Sequence, residues 1–199
     1  MKMITSHTDR KGRAMRIDGE RMYLKILSEN DVYVFTQLLI RNKEYWSMYE
    51  PRFSDAYYTV DTQRDKIKRS LRAYREEREL NFGIYLYETN QLIGHISLYN
   101  VKRLPFLSGF VGYSIDEAQA GNGYATEALS LVADYAFQRL SLHRLEAYVS
   151  PENEGSIRTL EKNEFVREGL LRNLIYINGV WEDHYLYALL RKDYEAQLN

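Results

Sequence analysis

The chain of 199 residues contains no cysteine. That excludes disulfides, thiolate metal ligands and a cysteine nucleophile together. Histidine is scarce: His7, His95, His143 and His184 lie far apart and no H-E-x-x-H spacing occurs, so no metal is expected. No apolar run approaches the ~18 residues of a membrane span. The opening "MKMITSHTDRKGRAM" lacks the apolar stretch of a signal peptide, so a cytoplasmic protein with no membrane partner is expected. Charge of one sign is not in excess either, since 27 basic and 28 acidic residues leave a formal charge of −1. A DNA-binding protein would show a basic footprint, and none exists here. A G-x-x-x-x-G-K-[ST] run is also missing, which argues against phosphoryl transfer by that route.

What remains is a globular profile, with 45% hydrophobic and 28% charged residues and neither repeats nor low-complexity segments. One domain of ordinary size is expected over residues 16–193, with polar tails at 1–15 and 194–199. Tyrosine is frequent, 18 residues, and alternates with aliphatics in runs such as "FGIYLYE", as half-buried strands require.

The stretch "EAQAGNGYATEAL" sets Gly121 and Gly123 one residue apart between a strand pattern, "GFVGYSID", and a helical one. Ala125, Ala128, Leu129, Val132, Ala133 and Ala136 recur near a period of 3.6, giving that helix an apolar face. A strand-to-helix turn of this kind exposes unpaired amides at the positive end of a helix dipole, where phosphates bind. The dinucleotide fingerprint G-x-G-x-x-G is not met, because its third glycine position is Thr126 and the acidic candidate Glu146 falls inside a strand. A tight turn without a ligand is the other reading.

Along the chain, "ERMYLKIL" reads as a strand and "SENDVYVFTQLLI" as a helix opened by Ser28. Pro51 then interrupts the pattern, and Asp61 is the expected cap of "TQRDKIKRSLRAYREERE". "NFGIYLYE" and "QLIGHISLYN" form a hairpin, the glycine strand 108–116 and its helix 123–139 follow, and "HRLEAYVS" is a further strand. "PENEGSIRTLEKN" reads as a short capped helix, and Asn178-Gly179 turns a closing hairpin. The order β-α-α-β-β-β-α-β-α-β-β predicts an α/β (α+β) domain, with a mixed, mostly antiparallel sheet of seven strands flanked by about four helices.

These residues carry a family resemblance. The run Ala120-Gly121-Asn122-Gly123-Tyr124-Ala125, followed by Thr126-Glu127-Ala128, is similar to the [QR]-x-x-G-x-[GA] signature of the GNAT superfamily of acetyl-coenzyme A-dependent N-acetyltransferases. Ala120 stands where that signature has Gln or Arg. "SPENEGSIRTLEKNEF" resembles a segment of the branch that acetylates N-terminal alanine of ribosomal proteins, with Asn153, Ser156, Glu161, Lys162 and Phe165 in register and Glu164 in place of a glycine. "INGVWEDHYLYALL" and "YEP" at Tyr49–Pro51 resemble the closing hairpin and first-helix loop of that branch, so the likeness spans roughly residues 16–193.

The resemblance implies acetyl-CoA as co-substrate, its pyrophosphate held by amides of Gly121, Asn122, Gly123, Tyr124 and Ala125. It implies backbone contacts from Ser114, Ile115 and Asp116 to the pantetheine arm, and a further contact from Asn153, which a helix-cap role would not exclude. Ser156 is the implied donor to the departing thiolate, where most of the superfamily has a tyrosine four positions later; here that position is Leu160. Ser156 also fits a first-turn helix residue bonding its own backbone. No general base stands out among Glu50, His95, Asp183 and His184; Glu50, Asp183 and His184 are the expected substrate-side residues. The acceptor is expected to be a primary amine, foremost a protein N-terminus. A small amine such as a polyamine or aminoglycoside, or a non-catalytic acyl-CoA module, stays open, as does a monomer or homodimer.

Overall fold

The computed structural model describes residues 15–196, so the expected N-terminal tail lies outside the described residues apart from Met15, which is buried. One eight-stranded sheet organises the chain, in the order β1-β2-β3-β4-β5-β6-β8-β7. Its strands are β1 (Arg16–Asp18), β2 (Met22–Ile26), β3 (Leu80–Leu86), β4 (Leu92–Lys102), β5 (Ser108–Ile115), β6 (Arg144–Val149), β7 (Val166–Ile177) and β8 (Val180–Leu190). The six helices among the described residues are α1 (Val32–Arg41), α2 (Lys43–Trp46), α3 (Val60–Arg75), α4 (Tyr124–Gln138), α5 (Glu154–Lys162) and α6 (Arg191–Ala196). Among the described residues no helix is long and apolar enough to cross a membrane.

The predicted order survives inside this one, with three short additions. The strand count of seven is corrected to eight because β1, only three residues long, pairs with β2 through Arg16↔Lys25 and Asp18↔Tyr23. Three residues are too few to show alternation. α2 is a single turn, and α6 begins before residue 194, so Tyr194 is buried against α4: its ring stacks on Phe137 at 4.9 Å and its hydroxyl donates to Asp134. The cap of α3 is Thr59, which accepts from the Thr62 amide, whereas the expected Asp61 pairs with Arg64. Ser28 opens the first helical segment as expected, with its amide and hydroxyl both donating to Asp31.

Alternation along the strands divides the apolar residues between two layers. Met22, Leu24, Phe82, Ile84 and Ile96 face α4, whose Ala128, Leu129, Val132, Ala136 and Phe137 complete the main core. Tyr23, Tyr85 and Leu92 face the other way, against Leu38 and Leu39 of α1 and Trp46 of α2. Every neighbouring pair of strands is antiparallel except β5 and β6, which the α4 crossover makes parallel. That pair is bonded only from Ser108 to Phe110, against Arg144 to Glu146. Beyond it the strands part, because β5 stays on β4 as far as Gly94↔Ile115 and β6 stays on β8 as far as Val149↔Tyr185.

Gly94 fixes how closely β4 and β5 approach at the open end. A Cβ there would lie 2.6 Å from the carbonyl oxygen of Ser114. Gly94→Ala should therefore force the two backbones apart and lower stability by about 1–3 kcal/mol. Thermal unfolding of the variant checks this, and an unchanged Tm would mean that β5 is free to shift.

Candidate active site

The gap between β5 and β6 opens into a cleft of about 1040 Å³ that passes through the sheet. Ladder alternation sends the N–H and C=O of Ser114 and Asp116 toward β4, where the Asp116 amide bonds Ile93 at 2.7 Å. Tyr113 and Ile115 consequently turn their backbone groups toward the gap, and the indole of Trp46 takes the Ile115 carbonyl at 2.9 Å. Of the expected run Ser114–Asp116, therefore, only Ile115 offers backbone to the cleft. Tyr113 adds to it. The Ser114 side chain does line the cleft, whereas Asp116 is buried in an ion pair with Arg41 at 2.6 Å.

At one end lies the glycine turn. Gly121 and Gly123 have φ of +79° and +81°, a region that side chains disfavour. Gly123 is the N-cap of α4 and supplies no side chain to it, so the first amides of that helix lack a side-chain partner. A Cβ on Gly121 would meet nothing within 4 Å, which leaves room for a ligand to approach the backbone. Tyr124 and Ala125 line the same end, and α5 contributes Arg158 and Lys162. Unpartnered amides, an open Gly121 and the cations Lys162 and Arg158, the latter paired with Glu154 at 2.9 Å, fit a pyrophosphate. Asn122 is not in the lining; its carbonyl accepts from Arg21 at 2.8 Å.

Arg21 is a residue that sequence reasoning missed. From the turn before β2 it also pairs with Glu127 of α4 at 3.0 Å and lies over the Tyr124 ring. Its signal is tertiary, since 106 positions separate it from Glu127.

Asn153 and Ser156 meet in the first turn of α5, on the cleft wall. Asn153 Oδ1 accepts the Ser156 amide at 3.0 Å, so the cap reading holds for it while its amide nitrogen stays available. The Ser156 hydroxyl lies 2.9 Å from that of Tyr113, reached across the gap from β5. Burial pushes the Tyr113 phenol up to about 12.

The opposite end is polar and sheltered. Ser114 donates to Glu50 Oε1 at 2.5 Å, and burial holds the Glu50 carboxyl above the usual carboxylate range although that hydroxyl opposes the rise. His95 stands nearby on β4 with its ring edge-on to Phe35 and Trp46; burial, with Lys66 adding to it, pushes it down to about 4. His184 lines the cleft and is buried, its Nδ1 3.3 Å from the Glu182 carbonyl. Asp183 is not in the lining: its carboxylate accepts the Asn173 amide at 2.8 Å and holds an irregularity of the β7–β8 hairpin. Asn178 at the tip of that hairpin donates to the Ser47 carbonyl and accepts the Arg52 amide, closing the rim beside Glu50. Among the described residues no group of three His, Asp or Glu side chains is placed to hold a metal.

A family model described as an acetyltransferase (GNAT) domain matches residues 21–166. The probable N-acetyltransferase YjcK of Bacillus subtilis is 40% identical over 179 residues, covering 90% of this chain and 99% of its own. Among solved structures, the ribosomal-protein-S5-alanine acetyltransferase of Vibrio fischeri superposes with a TM-score of 0.86 at 28% identity, over 90% of this chain and 98% of that one. RimJ of Mycobacterium smegmatis, in complex with CoA-disulfide, gives a TM-score of 0.82 at 26% identity, over 91% and 86%.

Glu50 yields a prediction independent of any ligand. Its folded pKa lies above the unfolded one, so the folded form holds the proton more tightly and this group's contribution to stability falls as pH rises through the folded value. At pH 7 the sheltered carboxylate is thus destabilising. Glu50→Gln, which can still accept from Ser114, should raise Tm at pH 7 and lose that advantage near pH 4. Scanning calorimetry at both values checks this; a lower Tm at pH 7 would mean that the charge is stabilised in place.

Proposed function

The chain belongs to the acetyltransferase (GNAT) family and is an acetyl-CoA-dependent N-acetyltransferase; from that premise we propose that it acetylates the N-terminal α-amine of a protein, such as a ribosomal protein. The observation that carries this reading is the cleft through the sheet, with a phosphate-fitting helix terminus at one end and the sheltered Glu50 at the other. Bound acetyl-CoA supplies an acyl group activated as a thioester. In this reading the amides from Gly121 to Ala125 hold the pyrophosphate, the backbone of Tyr113 and Ile115 orders the pantetheine arm as an added strand would, and the Asn153 amide nitrogen meets it from α5. Glu50 accepts the surplus proton of the attacking amine, for which its raised pKa suits it. Ser156 faces the leaving sulfur as hydrogen-bond donor. His95, neutral at working pH, can donate one hydrogen bond and accept one but carries no charge.

The preference for an α-amine follows from proton affinity. An α-amino group has a pKa near 7.7–8.0 and lysine one near 10.4, so roughly 3.5 kcal/mol separates their deprotonation at neutral pH. Glu50, the sheltered carboxylate among the acids lining the cleft, matches the easier substrate. The name of the Vibrio fischeri relative, an S5-alanine acetyltransferase, supports the same choice.

Two outcomes are expected. Acetyl-CoA and CoA should raise Tm while NAD does not, and Gly123→Val, folded, should bind CoA at least tenfold more weakly, since a branched side chain obstructs the turn. Equal shifts with NAD, or unchanged affinity in the variant, would remove the glycine turn from the site. A peptide with free N-terminal Ala or Ser should be acetylated, and the same peptide with a blocked terminus and an internal lysine should be nearly inert. Preference for the lysine peptide or for a polyamine would overturn the acceptor while leaving the cofactor in place.

A further inference from the structure

Ser156 does not stand alone. The Tyr113 hydroxyl lies 2.9 Å from its Oγ and 3.2 Å from its backbone carbonyl oxygen, and both side chains line the cleft. Two protons are shared in this pair, in two arrangements. With the phenol donating to the Ser156 carbonyl, the serine hydroxyl is free to donate back to the phenol oxygen, and its proton is turned away from any ligand. With the phenol donating to Ser156 Oγ, that direction is closed and the serine proton must point elsewhere. The cleft is the open side.

We propose that Tyr113 is a positioning residue for the leaving sulfur: its phenol donates to Ser156 Oγ and thereby aims the serine hydroxyl into the cleft. The proposal rests on the reading of Ser156 as the donor to sulfur. In the transfer, the amine nitrogen bonds to the acyl carbon, the carbon–sulfur bond breaks, and its electron pair leaves on sulfur. The surplus proton of the amine goes to Glu50, and Ser156 and Tyr113 keep theirs. Full protonation by the pair would be uphill, because a thiol near 8.5 is a stronger acid than a buried phenol at about 12. Two hydrogen bonds in series toward a developing anion are what the geometry offers, and a chain of donors polarises its last member.

The test uses Tyr113→Phe, Ser156→Ala and the double variant. Two quantities are read: steady-state kcat with KM for acetyl-CoA, and the pKa of the CoA thiol in the binary complex, followed by thiolate ultraviolet absorbance against pH. In the wild type the bound thiol should titrate below its free value of about 8.5. Tyr113→Phe keeps the ring and should raise that pKa, with kcat down about tenfold and KM unchanged. The double variant should be no slower than Ser156→Ala, since Tyr113 acts through the serine. An unmoved thiol pKa in Tyr113→Phe, with Ser156→Ala impaired, would overturn the role of Tyr113 alone, as would losses that multiply. Wild-type turnover in Ser156→Ala would instead overturn the reading of Ser156 on which it rests.

Discussion

The site depends on the brevity of one strand pairing. β5 and β6 are bonded only over Ser108–Phe110 and Arg144–Glu146, and each then follows its outer neighbour. Backbone amides and carbonyls that a continuous sheet would consume are left facing a gap, yet they are not free to wander, because a full ladder holds each arm from behind. An extended ligand can pair with them without reorganising the protein. Trp46 reinforces the arrangement by taking the Ile115 carbonyl, which ends the exposed edge and ties β5 to the helical layer on that face. The rim is closed by side-chain bonds from the distant β7–β8 hairpin, through Asn178 to Ser47 and Arg52.

The glycine turn is fixed in a similar way, by groups that a local view would not include. Its two left-handed residues permit the bend, but the bend is held by Arg21, which binds the Asn122 carbonyl and Glu127 at once. Glu127 in turn accepts the amides of Glu20 and Arg21, so the turn before β2 and the first turn of α4 form one unit. Arg21 does not line the cleft, and its charge is paired with Glu127, so it acts on the turn by holding its backbone.

Features legible in the sequence were those whose cause is local. Gly121 and Gly123 announce a backbone with positive φ, the apolar stripe of α4 has a helical period, and Asn178-Gly179 marks its hairpin. Legible too was the order of the longer elements, because each carries its own periodicity. β1 was not, at three residues. Nor was the cap of α3, where Thr59 and Asp61 are both good caps and only the path of the chain decides. Within the site, Asn153 and Ser156 share a turn and could be read together, but Tyr113 lies 43 positions from Ser156 and its role is visible only across the gap. The direction of backbone groups at Ser114–Asp116 depends on register against β4, which no short motif encodes. Asp183 looked like a substrate-side acid, and its neighbour across the hairpin uses it instead.

Glu50 and His95 show most directly why tertiary environment, rather than residue type, sets the chemistry. Both are sheltered at one end of the cleft, and desolvation acts on them in opposite directions, raising the acid and lowering the base. Each is driven toward its neutral form. Attack requires a neutral amine, and the free energy of shedding its proton depends on how basic it is. Imidazole pushed down to about 4 cannot take that proton at neutral pH. A carboxylate raised above its usual range is a better proton acceptor once ionised, and the Ser114 hydroxyl opposes the rise. The same burial that costs stability at Glu50 makes it a stronger base, and in the proposed reading a weakly basic amine is the easier substrate. In that reading, discrimination against lysine rests on proton affinity rather than on a pocket for the acceptor's side chain.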